Sequence, residues 1–303
     1  MLWWRTLELI GEFCHKYSLS LMVLYGEVNI LSLEFDIVSE KVIGDHCYYA
    51  WVVKGDWQQA IANEYGKLRT DTRFPIEPIC LDGLEFSIDT IKERIFHNTI
   101  PERRGGNFDV VRSDFGEVIS YMTLEQKYST QFGYKSIRDR ELVQLPGRGI
   151  DGIGIETGEK LRLVLTETKV SSQRTSPPSV VDSSEDSMRN QHLDHISKPE
   201  TCKKIWDVAR RTTSSELQKL FMTAALMFEY KMFDRLELIT CCVLVRPKMV
   251  HTCNDFGSFM SHAKDFLPGK IRFLVICIPE ENGNNLEEII DEWFKVLNER
   301  RCD

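Results

Sequence analysis

The stretch from Gly147 to Lys169, GRGIDGIGIETGEKLRLVLTETK, constrains the fold more than any other. Two runs rich in apolar and β-branched residues flank the polar quartet Thr157-Gly158-Glu159-Lys160, which is the pattern of a β-hairpin. The spacing predicts strands over Gly149 to Glu156 and Leu161 to Lys169. Strand residues alternate between faces, so Leu161, Leu163, Leu165, Glu167 and Lys169 share one side, and Arg162, Val164, Thr166 and Thr168 the other. Pairing about Gly158 sets Ile155 opposite Leu163, Ile153 opposite Leu165 and Asp151 opposite, or nearly opposite, Glu167. A slip of one residue would send the whole set to the other face. One face is thus apolar for most of its length and ends in two carboxylates and an ammonium. Burying such charges unpaired costs several kcal/mol each. A neutralising partner is expected, and a divalent cation is the natural candidate for two hard oxygen donors.

Around this hairpin the chain reads as an α/β protein. Arg235 to Val245 (with LELITCCVLV) and Ile271 to Ile278 are nearly continuous apolar runs. Strands of this kind are buried on both faces, so they are predicted to extend the hairpin's sheet, with helices on either side. Further strands are expected over Ser18 to Leu31, Leu33 to Ile43, His46 to Val53 and Leu84 to Phe86. Helical spacing marks Leu2 to Tyr17, Trp57 to Leu68, Ser87 to Asn98 (capped by Ser87), Ser113 to Lys127, Glu200 to Arg210, Ser214 to Phe233, Phe256 to Phe266 and Asn285 to Arg300. Met222, Leu226, Met227, Tyr230 and Met232 read as core. Pro101 to Asn107 is the strongest break in the first half, so residues 1–108 are predicted to be an N-terminal α/β region available to a partner. Residues 109–303 would then form the domain that contains the hairpin.

Composition narrows the function classes. The formal net charge of −8 gives no global basic field for nucleic acid, so any such contact needs a local patch. The nine cysteines are an odd number with no Cys-x-x-Cys pair, which is reduced usage and no zinc motif. No apolar run reaches membrane-spanning length, and the hydrophobic N-terminus lacks a basic leader before its apolar part; a cytoplasmic protein with no membrane association is expected.

The segment before Asp151 supplies the local patch: Lys135, Arg138, Arg140 and Arg148. Asp139 and Glu141 lie among them, either as their partners or as further acids. Glu117 shares a helical stripe with Tyr121 and Leu124. It is either a site acid or an exposed first-turn glutamate favoured by the helix dipole. After Lys169, the run SSQRTSPPSVVDSSEDS is a polar loop carrying Arg174, read as a lid with substrate contacts or as a plain linker. The helix that follows bears Gln191, His192 and His195, with both histidines expected at the surface.

Asp151 followed by Glu167-Thr168-Lys169 on the antiparallel neighbour resembles the site pattern of the PD-(D/E)XK nucleases. Surface strands often carry Glu and Lys two apart, so the triplet alone defines no site. The resemblance is sharper over Arg138-Asp139-Arg140-Glu141, Leu145 to Gly154, Glu167 to Ser172 and Pro177-Pro178-Ser179. There the chain is similar to the HamA family, the nuclease subunits of bacterial Hachiman anti-phage systems. The likeness is most specific over about Ser113 to Ser187.

That resemblance implies a restriction-endonuclease-like mixed central sheet flanked by helices, metal-dependent DNA cleavage in antiviral defence, and a superfamily 2-type helicase partner (HamB). In PD-(D/E)XK folds the helix before the hairpin often adds an acid, a role for Glu117, and some place a glutamine on the helix after it, a role for Gln191. The expected site is therefore Asp151, Glu167 and Lys169 as catalytic residues. Asp151, Glu167, Glu117 and the Thr168 carbonyl would hold Mg2+ (or Mn2+), and Arg138, Arg140, Arg148, Arg174 and Gln191 would contact DNA. The alternatives are a non-catalytic module that binds a helicase and DNA, and a structural subunit in which the triad is an accidental ion pair.

Overall fold

A computed structural model of the protein describes residues 32–72, 75–104, 109–145, 147, 149–280 and 285–299. The helix expected over Leu2 to Tyr17, the strand over Ser18 to Leu31 and the side chain of Arg148 lie outside the described residues.

Residues 32–303 form one compact unit. Its centre is a seven-stranded sheet of order β1-β2-β9-β8-β7-β6-β5. The strands are β1 (Glu34–Ile43), β2 (His46–Lys54), β5 (Gln131–Lys135), β6 (Gly152–Glu156), β7 (Leu161–Val170), β8 (Leu236–Pro247) and β9 (Lys270–Ile278). β5, β6 and β7 run as an antiparallel meander, whereas β7, β8, β9 and β2 are parallel neighbours. Central β8 and β9 are buried almost throughout, as their unbroken apolar sequences require. Edge strand β1 mixes charged and apolar residues and stays largely exposed.

The first face of the sheet carries α1 (Trp57–Thr70), α3 (Val110–Tyr128) and α10 (Leu286–Glu299). Trp57 meets Phe115 edge-on at 6.2 Å between centroids, and Tyr65 meets Trp293 at 5.4 Å. The second face is divided. Beside β8 and β9 it is closed by α6 (Met188–Ser197) and by Phe256, Phe259 and Phe266 from the segment that contains α9 (Gly257–Ser261). Beside β6 and β7 it is closed by α7 (Pro199–Arg211) and α8 (Ser215–Glu229), where Ile205, Val208 and Phe221 pack on Ile153, Leu163 and Leu165. The remaining elements are the exposed hairpin β3 (Ile79–Leu81) and β4 (Leu84–Phe86), α2 (Ile88–Thr99), and the single turns α4 (Ser136–Asp139) and α5 (Ser179–Asp182).

The hairpin has the expected register: Ile155 pairs Leu163 and Ile153 pairs Leu165. Four details differ from the sequence expectation. β6 starts at Gly152, because Gly149 takes a left-handed φ of +79° that no strand continues through. α3 starts at Val110, capped by Asp109, whose carboxylate accepts the Val111 N–H at 3.1 Å. α8 buries Phe221, Ala224, Ala225 and Phe228, leaving Met222, Leu226 and Tyr230 exposed. The small alanines set that face by letting the helix approach the sheet.

The boundary at residue 108 is the fourth. β2 pairs with β9, and Arg103 reaches across the break to Asp109, to Glu287 at 3.1 Å and to Asp291 at 2.7 Å. β1, β2 and α1 belong to the same sheet and core as the hairpin.

Candidate functional site

The site is built where β6 begins. Asp151 stands one residue before the first ladder pair, Gly152 with Thr166, and its N–H still donates to the Thr166 carbonyl at 3.1 Å. Its side chain turns back to the open edge of β7, where Oδ2 accepts the Thr168 N–H at 2.8 Å. In a strand the N–H and C=O of one residue point to the same side, so the Thr168 carbonyl faces that edge too. Glu167 is 1% exposed. Its Oε1 is 3.6 Å from Lys169 Nζ and its Oε2 is 3.4 Å from His195 Nε2. Lys169 is also 3.6 Å from Asp186, an exposed carboxylate of the loop after β7.

Glu117 is buried in the third turn of α3, not exposed in the first, because the helix begins at Val110. Gly116 beside it packs on Thr168 and Val170 of β7, so α3 lies on the face opposite Glu167 and Lys169. Glu117 meets the site around the strand end through Tyr121, whose hydroxyl stands 2.9 Å from Glu117 Oε2 and 2.7 Å from the Asp151 carbonyl, and accepts the Ser136 N–H at 3.0 Å. The hydroxyl has one proton for two acceptors. A protonated Glu117 would resolve this by donating to Tyr121, which then donates to Asp151. The electrostatics agree: burial, then the Asp151 charge, push the Glu117 carboxyl well above its usual range.

The other acids behave alike. Burial and then Glu167 raise Asp151 to about 8, and burial raises Glu167 to about 7 against the pull of Lys169 and Lys204. Burial works against the Lys169 ammonium, but Glu167, Asp151 and Asp186 outweigh it and raise its pKa. No arginine pairs with either Asp151 or Glu167 among the described residues. The donors are all oxygens, and their chemistry fits a hard divalent cation. Among the described residues no three His, Cys, Asp or Glu side chains stand grouped to hold a metal ion. Glu117, coming from the opposite layer, does not complete such a group.

The expected basic approach turns inward. Arg140 is spent on buried Asp114, with Nη1 and Nη2 at 2.7 and 2.6 Å, and Asp114 also accepts from Arg69 and Tyr65, both at 2.7 Å. Arg138 donates to Asp139 at 2.8 Å and to the Gly133 carbonyl at 2.9 Å, with Asp71 at 3.5 Å. Lys135 pairs with Glu125 at 2.7 Å. Charges this close to the core need partners, and each finds an acid. Arg140 is therefore committed to the core rather than presented to a phosphate, and Arg138 has little left to offer one. Arg174 is exposed on the loop after β7. Gln191 lies half-buried on α6, its Oε1 without a hydrogen-bond partner.

The loop itself is no slack linker. Arg246, buried at the end of β8, binds Asp255 and donates to the Gln173 carbonyl at 2.6 Å; Gln173 brackets Ser179; and Asp182 accepts the Ser258 N–H at 2.9 Å.

Three residues of the site escaped the sequence reading. The first, His195, is 7% exposed, with its neighbour His192 at 1%, where surface positions were expected. The signal was present: Met188, His192 and His195 recur on one face of α6, and residue type outweighed spacing. Lys204 of α7 donates to the Ile150 carbonyl at 2.9 Å and lies 4.0 Å over the Tyr134 ring. Burial lowers its pKa against the pull of Asp151, Glu167 and Glu117. Tyr121 is the third, read as one more apolar position.

A cavity of about 400 Å³ opens nearby between Tyr134, Arg138, Asp207, Arg211 and Ser214, but neither Asp151, Glu167 nor Lys169 lines it. No helix among the described residues is long and apolar enough to cross a membrane. No protein-family model matches the chain, and a search of curated proteins finds no match.

Proposed function

We propose that the chain is a metal-dependent nuclease of the PD-(D/E)XK type that hydrolyses DNA phosphodiesters, working in antiviral defence with a helicase partner as in the HamA family it resembles. The observation that carries the reading is the juxtaposition of Asp151 and Glu167 at the open hairpin end, with Lys169 on the same strand face. Asp151, Glu167 and the Thr168 carbonyl would hold Mg2+ or Mn2+. A bound divalent cation supplies charge neutralisation at the phosphate and a more acidic water. Lys169 then orients the attacking water or takes up charge on the phosphoryl oxygens as it develops. Lys204 adds a second ammonium to the same group of acids, and Glu117 with Tyr121 holds the Asp151 backbone in place. With most of the basic segment tied up internally, DNA affinity would rest largely on the partner helicase.

The test is cleavage of single- and double-stranded DNA in Mg2+ or Mn2+, with and without helicase and ATP. Wild type should cut in at least one arm. Glu167→Gln and Lys169→Ala should each lose at least about a hundredfold in kcat, with the urea midpoint of Lys169→Ala near wild type. Equal cutting by wild type and Glu167→Gln would sink the assignment.

One observation favours a second reading. Arg140, locked on Asp114 where a phosphate contact was expected, suits a non-catalytic module that binds a helicase. That protein would show no metal-dependent thermal shift and no cleavage in any arm.

A further inference from the structure

His195 takes no part in the hydrolysis proposed above, yet it approaches Glu167 more closely than Lys169 does. Its Nε2 lies 3.4 Å from Glu167 Oε2, while Oε1 of the same carboxylate lies 3.6 Å from Lys169 Nζ. The carboxylate is bracketed, one oxygen by an ammonium and the other by an imidazole. Once ionised, as a cation ligand must be, Glu167 only accepts, so the nitrogen that faces it carries the hydrogen, which assigns the Nε2–H tautomer to that state. The imidazole is itself held. His192 meets it edge-on at 5.6 Å and in turn meets Phe259 at 6.2 Å. α6, which carries both histidines, is capped by Ser187 and docked through buried Met188. A rigid helix thus delivers a donor to the one carboxylate oxygen that Lys169 leaves uncovered.

We propose that His195 is a positioning residue for Glu167: its Nε2–H fixes the carboxylate plane, so that Glu167 meets a divalent cation pre-aimed instead of sampling rotamers. This rests on the function proposed above, and it deepens it by naming what orients the ligand. Partners of this kind typically contribute 10- to 100-fold in metal affinity or activity. His195→Gln keeps an N–H donor at similar reach, whereas His195→Ala removes it.

The experiment uses full-length protein and Mn2+ as the probe, with bound Mn2+ counted by electron paramagnetic resonance. It adds kcat and KM for DNA, and the His195 tautomer by long-range 1H–15N NMR in metal-free protein above about pH 8, where Glu167 is ionised. The expected result is roughly 10- to 100-fold weaker Mn2+ binding by His195→Ala. Its kcat should fall with KM unchanged, His195→Gln should recover most of both losses, and the resonance should report Nε2–H. Wild-type Mn2+ affinity in His195→Ala overturns the proposal, as does equal impairment of the Ala and Gln variants, which would mean packing alone, or an Nδ1–H tautomer. Wild-type protein that takes up no Mn2+ overturns both this inference and the proposed nuclease. Wild-type uptake with an unaffected His195→Ala overturns the positioning role only.

Discussion

At the scale of single residues, the acid pair and the buried histidine titrate in opposite senses. Folding raises Asp151 from 3.8 to about 8 and Glu167 from 4.5 to about 7, chiefly through burial. The folded protein therefore keeps protons that the unfolded chain has released. The stability this contributes is complete below about pH 4 and is lost as pH rises through 7 and 8. Burial lowers His195 from 6.5 to about 4, so its contribution is lost as pH falls below 6.5. Between pH 6.5 and 8 the Asp151–Glu167 pair should by itself cost metal-free protein about 2 kcal/mol of stability. Urea midpoints at several pH values test this, and Glu167→Gln should flatten the slope. Because a cation must displace the same protons, Mg2+ affinity should strengthen with pH up to about 8. Calorimetry in buffers of different ionisation enthalpy would count the protons released.

At the scale of elements, the site depends on how closely α3 lies on β7. A methyl at Gly116 would collide with Val170 Cγ2 and stand 3.2 Å from Thr168 Cγ2. Gly116→Ala should cost about 1–3 kcal/mol by overpacking. It should also reduce cleavage, because the displaced helix takes Glu117 and Tyr121 away from Asp151. Paired measurements of the urea midpoint and kcat would show both losses. α1, α3 and the α4 segment are clamped by Asp114 between Arg69 and Arg140. Removing one partner from such a cluster leaves a charge buried and alone, so Asp114→Ala should cost about 3–5 kcal/mol. Arg140→Ala should likewise unfold at lower urea, while leaving unchanged the slope of DNA affinity against salt concentration, the quantity that counts phosphate contacts.

At the scale of the whole molecule, the sheet is shared across the boundary that the Pro101 to Asn107 segment suggests. β2 covers one edge of β9, and Trp51, Val53, Trp57, Ile61 and Tyr65 enter the same core as Phe115 and Trp293. A fragment beginning at residue 109 would expose that core and a bare parallel edge. It should fail to give a cooperative unfolding transition, and circular dichroism on heating is the check. A fragment that folds and binds Mn2+ as the full chain does would show that the sheet tolerates the cut.

What the sequence by itself determined is what local periodicity controls. Alternation and a glycine turn set the hairpin and its register, which leaves Asp151 just before the Gly152–Thr166 pair and Glu167 beside Lys169. Unbroken apolar runs made β8 and β9 central, and Ser87 capped α2 as its residue type predicts. What only the tertiary structure decided is where the charges go. Arg140 reads as part of a phosphate strip in the sequence, yet its partner Asp114 lies far back along the chain, and burial makes that pair compulsory, whereas Arg138 takes its neighbour Asp139, a pairing visible in the sequence. His195 reads as a surface residue and nothing in the sequence marks Lys204, yet α6 and α7 fold over the strand end and bring them to Glu167 and the Ile150 carbonyl. A helix shows its polar residues in the sequence, but which neighbours they meet depends on the layer that packs against it.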